Sequence, residues 1–160
     1  MPASLIVFTT LGGVAGIELL KLVATFTLGA DFNLDKYSPT IASLIELLLK
    51  TEDCFVKTKL DPSILFAQHQ DLFKEKDSQL LYLKLFMIYY EDVLRMKLGK
   101  TEHLAFRMYP SSLAASEQVN TTTSCLNKLR ALLEAEKRLM ANANVMLCFD
   151  QLFIEMRGGF

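Results

Sequence analysis

The sequence predicts an all-α bundle of six to seven helices. Beyond residue 30, nearly every apolar run repeats at spacings of three and four rather than two. The runs are punctuated as helices are, with Pro behind a capping residue at the starts and Gly or Asn at the ends. Among 160 residues, 51% are apolar and 22% charged, the balance of one packed domain and not of a disordered chain.

The elements follow in order. Residues 4–30 are the most apolar stretch, interrupted only by Glu18 and Lys21. A spanning helix needs about 20 apolar residues, and each mid-segment charge costs roughly 2.5 to 3.5 kcal/mol at a bilayer centre. No Lys or Arg precedes the run, so the basic start of a secretory signal is missing too. We expect no membrane segment, but a short apolar piece, a turn at Gly12-Gly13 and a buried helix over residues 14–28. Gly12, Gly13 and Gly16 are not spaced as G-x-G-x-x-G, and no Lys-Ser/Thr pair follows, which argues against a phosphate-binding loop.

Residues 29–39 collect Gly, Asp, Asn and Pro and read as a loop. Ser38-Pro39 then opens a helix carrying Ile41, Leu44, Ile45, Leu48 and Leu49. Asp61-Pro62 repeats the device ahead of Ile64, Leu65, Gln68, Leu72 and Phe73. Asp77 caps the longest helix, with Leu80, Leu83, Met87, Tyr90, Leu94 and Leu98 on one stripe and Gly99 as its left-handed end. Residues 100–122 form a loop around a short helix at 113–119. Thr122 or Thr123 caps the next helix, whose apolar stripe is Leu126, Leu129, Leu132, Leu133 and Leu139. Its polar face carries Lys128, Arg130, Glu134, Lys137 and Arg138. Asn142-Ala143-Asn144 breaks that run, and Asn144 caps a last helix through Val145, Phe149, Leu152 and Met156, ending at Gly158-Gly159.

Chemistry-bearing residues do not converge. His69 and His103 stand alone, without H-E-x-x-H or E-x-x-H partners. Glu91 and Asp92 are adjacent and point to different helix faces. Ser111-Ser112 and Ser124-Cys125 lack the frame of a nucleophile elbow. Cys54, Cys125 and Cys148 are widely spaced with no C-x-x-C, which fits reduced thiols in the cytoplasm and neither a disulfide framework nor a zinc site. Met87, Met96, Met108, Met140, Met146 and Met156 read as core filler. Arg95, Lys97 and Lys100 read as a solvated helix end, and Asn120-Thr121-Thr122 as a sequon without meaning in a cytosolic chain. With 17 basic and 18 acidic residues the net charge is −1, which disfavours binding to a phosphate backbone. We expect no catalytic residue, metal, cofactor, small-molecule substrate, nucleic acid or membrane contact.

The last helix is apolar on more than one side: Val145, Met146, Leu147, Phe149, Leu152, Phe153, Ile154 and Met156. Such a helix is either central or covered by a partner. An interface built from Phe149, Phe153 and Met156, with Phe106 and Tyr109 of the preceding loop, is the expectation.

Three sequence patterns carry a family resemblance. Tyr90-Glu91-Asp92-Val93-Leu94-Arg95-Met96-Lys97 looks like an aromatic–x–Asp–Leu–Leu helix end. Arg138-Leu139-Met140-Ala141-Asn142-Ala143-Asn144-Val145-Met146-Leu147 resembles an R-x-L-x-x-N-x-N-x-x-L joint between two helices. Phe149-Asp150-Gln151-Leu152-Phe153-Ile154 follows, where an acidic residue and an apolar run are wanted. In this order and spacing they resemble the collar of the delta-prime subunit of bacterial DNA polymerase III, in the clamp-loader branch of the AAA+ proteins. Thr10-Leu11-Gly12-Gly13-Val14-Ala15-Gly16-Ile17 looks like the end of an AAA+ lid, with Ala15 in place of the sensor Arg. Gly13 departs from the usual Ser, and residues 31–60 match nothing specific.

The resemblance implies three segments: 1–30 as the remnant of the lid and its last helix, 31–76 as connecting helices, and 77–160 as the collar core. It further implies a non-catalytic oligomerisation domain without a metal. Its partners would be the ATPase (gamma/tau-type) and delta-type clamp-loader subunits, in cytoplasmic DNA replication. An unrelated helical adaptor of the cytosol is the alternative reading of the same residues.

Overall fold

The computed structural model describes residues 34–57 and 60–158, with side chains from residue 40 onward. The expected helix at 14–28, the lid-like segment with Ala15, and Gly159 lie outside the described residues. Among the described residues are six α-helices, one 3-10 turn and no strand. The helices are α1 (Leu34–Val56), α2 (Pro62–Gln68), α3 (Lys76–Lys97), α4 (Pro110–Val119), α5 (Thr122–Met140) and α6 (Val145–Met156), with the 3-10 turn Gln70–Phe73 after α2.

Most helix ends are where the punctuation puts them. Asp61 caps α2 by accepting from the Ser63 N–H at 2.9 Å, with Pro62 at the first helical position. Asn144 caps α6 through the Leu147 N–H at 3.0 Å. Gly99 closes α3 at φ +74: its N–H meets the Met96 carbonyl and the Lys100 N–H meets that of Arg95, a Schellman pair. Asn142, at φ +63, closes α5 with the same two bonds, from Asn142 to Leu139 and from Ala143 to Arg138.

Five boundaries move, among them the start of α4, which lies at Pro110 and not at 113. α1 begins at Leu34, so Ser38-Pro39 lies inside it and not at its start. Pro39 leaves one backbone bond unmade there, and the buried face downstream offsets the loss. α2 stops at Gln68 because His69 leaves helical geometry, its Nδ1 2.9 Å from the Leu65 carbonyl; Leu72 and Phe73 therefore belong to the 3-10 turn. Glu75 takes the N-cap position of α3 without a side-chain capping bond, which puts Asp77 in the first turn, facing the positive helix end. Thr121, one residue earlier than expected, caps α5 in a reciprocal box with Ser124.

The helix buried on all sides is α3, not α6. Every residue from Leu81 to Val93 except Lys84 and Glu91 is buried there, with α1, α4 and α5 packed around it. A chain of aromatic rings joins the helices. Phe66 stacks on Phe73 and on Phe149, with centroids 4.4 Å apart in both pairs, and Phe73 meets Tyr82 edge-on at 5.1 Å. Tyr82 leads on to Phe86 and Tyr90, and Tyr89 holds Phe106 edge-on at 5.1 Å. Ile41, Leu44, Ile45 and Leu48 of α1 enter the same core as α3 and α6.

Candidate functional site

The bundle turns its polar groups inward as well as its apolar ones. Glu52 of α1 is fully buried; the Tyr90 hydroxyl donates to its Oε1 at 2.5 Å and Ser116 Oγ donates to its Oε2 at 2.6 Å. With its proton on Glu52, Ser116 accepts from the Tyr89 hydroxyl at 2.6 Å, and Tyr89 in turn accepts from Ser112 at 2.8 Å. Lys128 of α5 donates to Asn120 Oδ1 at 2.7 Å and reaches the Tyr90 hydroxyl at 3.4 Å. Asn120, between α4 and α5, returns its Nδ2 to the Ser116 carbonyl at 2.8 Å. Four helices are thereby tied at one point.

Burial dominates the protonation of this centre. It raises Glu52, against the donors Ser116 and Tyr90 and the charge of Lys128, which pull down. It raises the phenols of Tyr89 and Tyr90 and lowers Lys128, the nearby Glu52 charge partly restoring the ammonium. Lys128, expected on the polar face of α5, is buried with its ammonium over the Phe55 and Tyr90 rings. The arrangement is closed, so its chemistry is positional: it sets the register of α1, α3, α4 and α5.

A second buried carboxyl fixes the loop between α3 and α4. Asp92 accepts the Phe106 N–H on Oδ2 at 2.8 Å, while its Oδ1 is buried without a hydrogen-bond partner. Burial pushes it up to about 7, the backbone of Phe106 and Ala105 and the charge of Arg95 pulling the other way. Arg95 adds a bond to the His103 carbonyl, and His103 sits at φ +60. This places Phe106 in the core. Asp92, read in the sequence only as part of a motif, is thus the residue that seats the loop.

Of the five expected interface residues, the structure places Phe106, Phe149, Phe153 and Met156 in the core of this chain and not on its surface. Tyr109 alone is partly exposed. The reason is geometric: α6 directs Cys148, Phe149, Leu152, Phe153 and Met156 at α2 and α5, which fill that arc themselves. The surplus apolarity of α6 is instead Leu147 and Ile154, 69% and 68% exposed, seven residues apart on the outer face. Ile154 borders a cavity of about 420 Å³ shared with Asp61, Pro62, Ser63, Asp150, Phe153 and Arg157. Arg157, from that lining, donates to the Leu60 carbonyl.

A second exposed apolar row runs along α5. Leu126 and Leu133 are each 47% exposed and Met140 64%. A seven-residue spacing puts them on one line, some 21 Å long at about 1.5 Å per residue. Met140, like Met108, is surface and not core filler. Among the described residues no three His, Cys, Asp or Glu side chains converge as a metal site, and no helix is long and apolar enough to cross a membrane.

Fold and surface together define a class: an all-α bundle with a closed polar centre and apolar rows on two of its helices. In sequence, the chain is similar to DNA polymerase III subunit delta' of Bacillus subtilis (strain 168), 32% identical over 92 residues. That match takes in 58% of this chain and 28% of the relative, so the chain spans little more than a quarter of that protein's length. The similarity read from the sequence motifs is found again in this comparison. No family model matches the chain, and no solved structure matches it.

Proposed function

We propose that this chain is the collar region of a delta-prime-type subunit of DNA polymerase III, a non-catalytic element that holds a clamp-loader ring together. The observation that carries this reading is the similarity to subunit delta' over 92 residues, met by an all-α fold over the described residues. The two exposed apolar rows support it. A subunit inside a ring meets two neighbours through different surfaces, and the rows on α5 and α6 are two such surfaces.

In this reading residues 1–30 correspond to the end of an AAA+ lid, 31–76 to the connection and 77–160 to the collar core. The partners are gamma/tau-type ATPase and delta-type subunits, in the cytoplasm during replication. Tyr109 and the outer faces of α5 and α6 make the contacts, while Phe106, Phe149, Phe153 and Met156 brace them from beneath. Light scattering after size exclusion tests this, on the chain alone and mixed with the collar of the same organism's ATPase clamp-loader subunit. A defined hetero-complex is expected; two unshifted peaks would overturn the reading.

A further inference from the structure

We infer that the α5 row of Leu126, Leu133 and Met140 is the seat of an amphipathic partner helix that carries carboxylates along the side facing Arg130 and Lys137. The inference deepens the assembly reading above and rests on it for the partner's being another subunit. Three observations lead to it. Exposed apolar residues that recur every seven positions present a straight seam, the form against which a second helix packs side by side. The seam lies off the buried arc of α5, which is Cys125, Lys128, Ala131, Leu132, Ala135 and Leu139. Among the described residues no helix covers it.

Charge then selects the occupant. On the side of the seam toward α3, Glu136 is held by Lys84 at 2.9 Å, with both side chains largely covered, so that flank is neutral. On the other side the helix periodicity puts Arg130 and Lys137 next to the seam, both exposed. Lys137 is 3.4 Å from Glu134, an open pair that water screens. Positive charge beside an apolar seam favours a helix with acidic flanks and rejects one with basic flanks.

The test uses the full chain and two labelled 21-residue helical peptides. Each has Leu at every third and fourth position in alternation; one is flanked by Glu and its twin by Lys. Fluorescence anisotropy should show the Glu peptide binding at least tenfold more tightly than the Lys peptide. Leu133→Asp should weaken it tenfold or more, and the pair Arg130→Glu with Lys137→Glu should reverse the preference. Far-UV circular dichroism verifies the fold of each variant, and Leu126→Asp substitutes if Leu133→Asp loses helicity.

Equal binding of both peptides, or none, overturns the proposal. So does self-association of the chain alone that Leu133→Asp removes, since the occupant is then a second copy. The two readings fail separately. A complex with the ATPase-subunit collar that survives Leu133→Asp sinks the α5 seat and leaves the collar reading. Peptide binding without any collar complex sinks the collar reading and leaves the seat.

Discussion

Replacing Glu52 by Leu or by Gln separates the work of its charge from the work of its hydrogen bonds. Leu removes the acceptor of both the Tyr90 and Ser116 hydroxyls, at 2.5 and 2.6 Å, in a fully buried place. It also strips Lys128 of the carboxylate that Tyr90 bridges to it. Breaking a buried charged network by one partner costs about 3 to 5 kcal/mol, or some 10 to 15 °C in Tm at roughly 3 °C per kcal/mol for a chain of this size. Gln also takes the charge from beside Lys128 but keeps the hydrogen bonds, so it should cost about 1 to 3 kcal/mol less than Leu, the scale of buried hydroxyls left unsatisfied. Its carbonyl still accepts from Tyr90, and its amide can donate to Ser116, which then donates to Tyr89, which donates to Ser112. The relay runs backwards with every bond kept. Adding Lys128→Met to Glu52→Leu should recover part of the loss, because the ammonium no longer lies buried without its counter-charge. Urea unfolding followed by circular dichroism measures these three variants and Lys128→Met alone, which completes the cycle. Equal losses for Leu and Gln, or strict additivity in the double variant, would refute a network held by both charge and hydrogen bonds.

Other consequences are open to the same assay. Phe149→Ala should destabilise by about 3 to 5 kcal/mol, as a fully buried ring between Phe66, Phe73 and Tyr82 must; Phe153→Asp should unfold the bundle and not merely block partner binding. The raised Asp92 carboxyl makes the folded state bind its proton more tightly than the unfolded chain does, so its contribution is intact below about pH 4 and is lost as pH rises through about 7. Asp92→Asn should therefore flatten that part of a pH series of urea midpoints, and an unchanged slope would discard the idea. Asn142→Gly should be neutral or stabilising at φ +63, whereas Asn142→Ala should cost about 1 kcal/mol. Cys125 and Cys148 are buried and raised by that burial, so a thiol reagent should label them only at the rate of unfolding.

Much of the fold was legible because helix ends are local. Asp61, Gly99 and Asn144 act through bonds to residues two to four positions away, and the residue type alone announces them. Pro39 misled for the same reason: its local preference for a helix start lost to a helix face buried farther along. The polar centre was not legible. Glu52 and Ser116 are 64 residues apart, and Lys128 sits on a helix face that its charged neighbours Arg130 and Glu134 make look solvated. Only the packing of α5 on α3 turns that side chain inward.

The last helix shows where sequence reasoning about an interface has to stop. Periodicity measures how wide an apolar arc is, and α6 has one too wide for a single neighbour. It does not say which part of the arc the chain itself covers. The large aromatics are the natural guess for a partner's contact, since they offer the most area. Yet for the same reason they are the residues the bundle gains most by burying, and Phe66 and Phe73 have reached Phe149 first. What stays exposed on these two helices is the smaller remainder, Leu147 and Ile154 on α6 and Leu126, Leu133 and Met140 on α5. An interface on a small bundle is thus better sought among apolar residues that the core has no room for than among its largest ones.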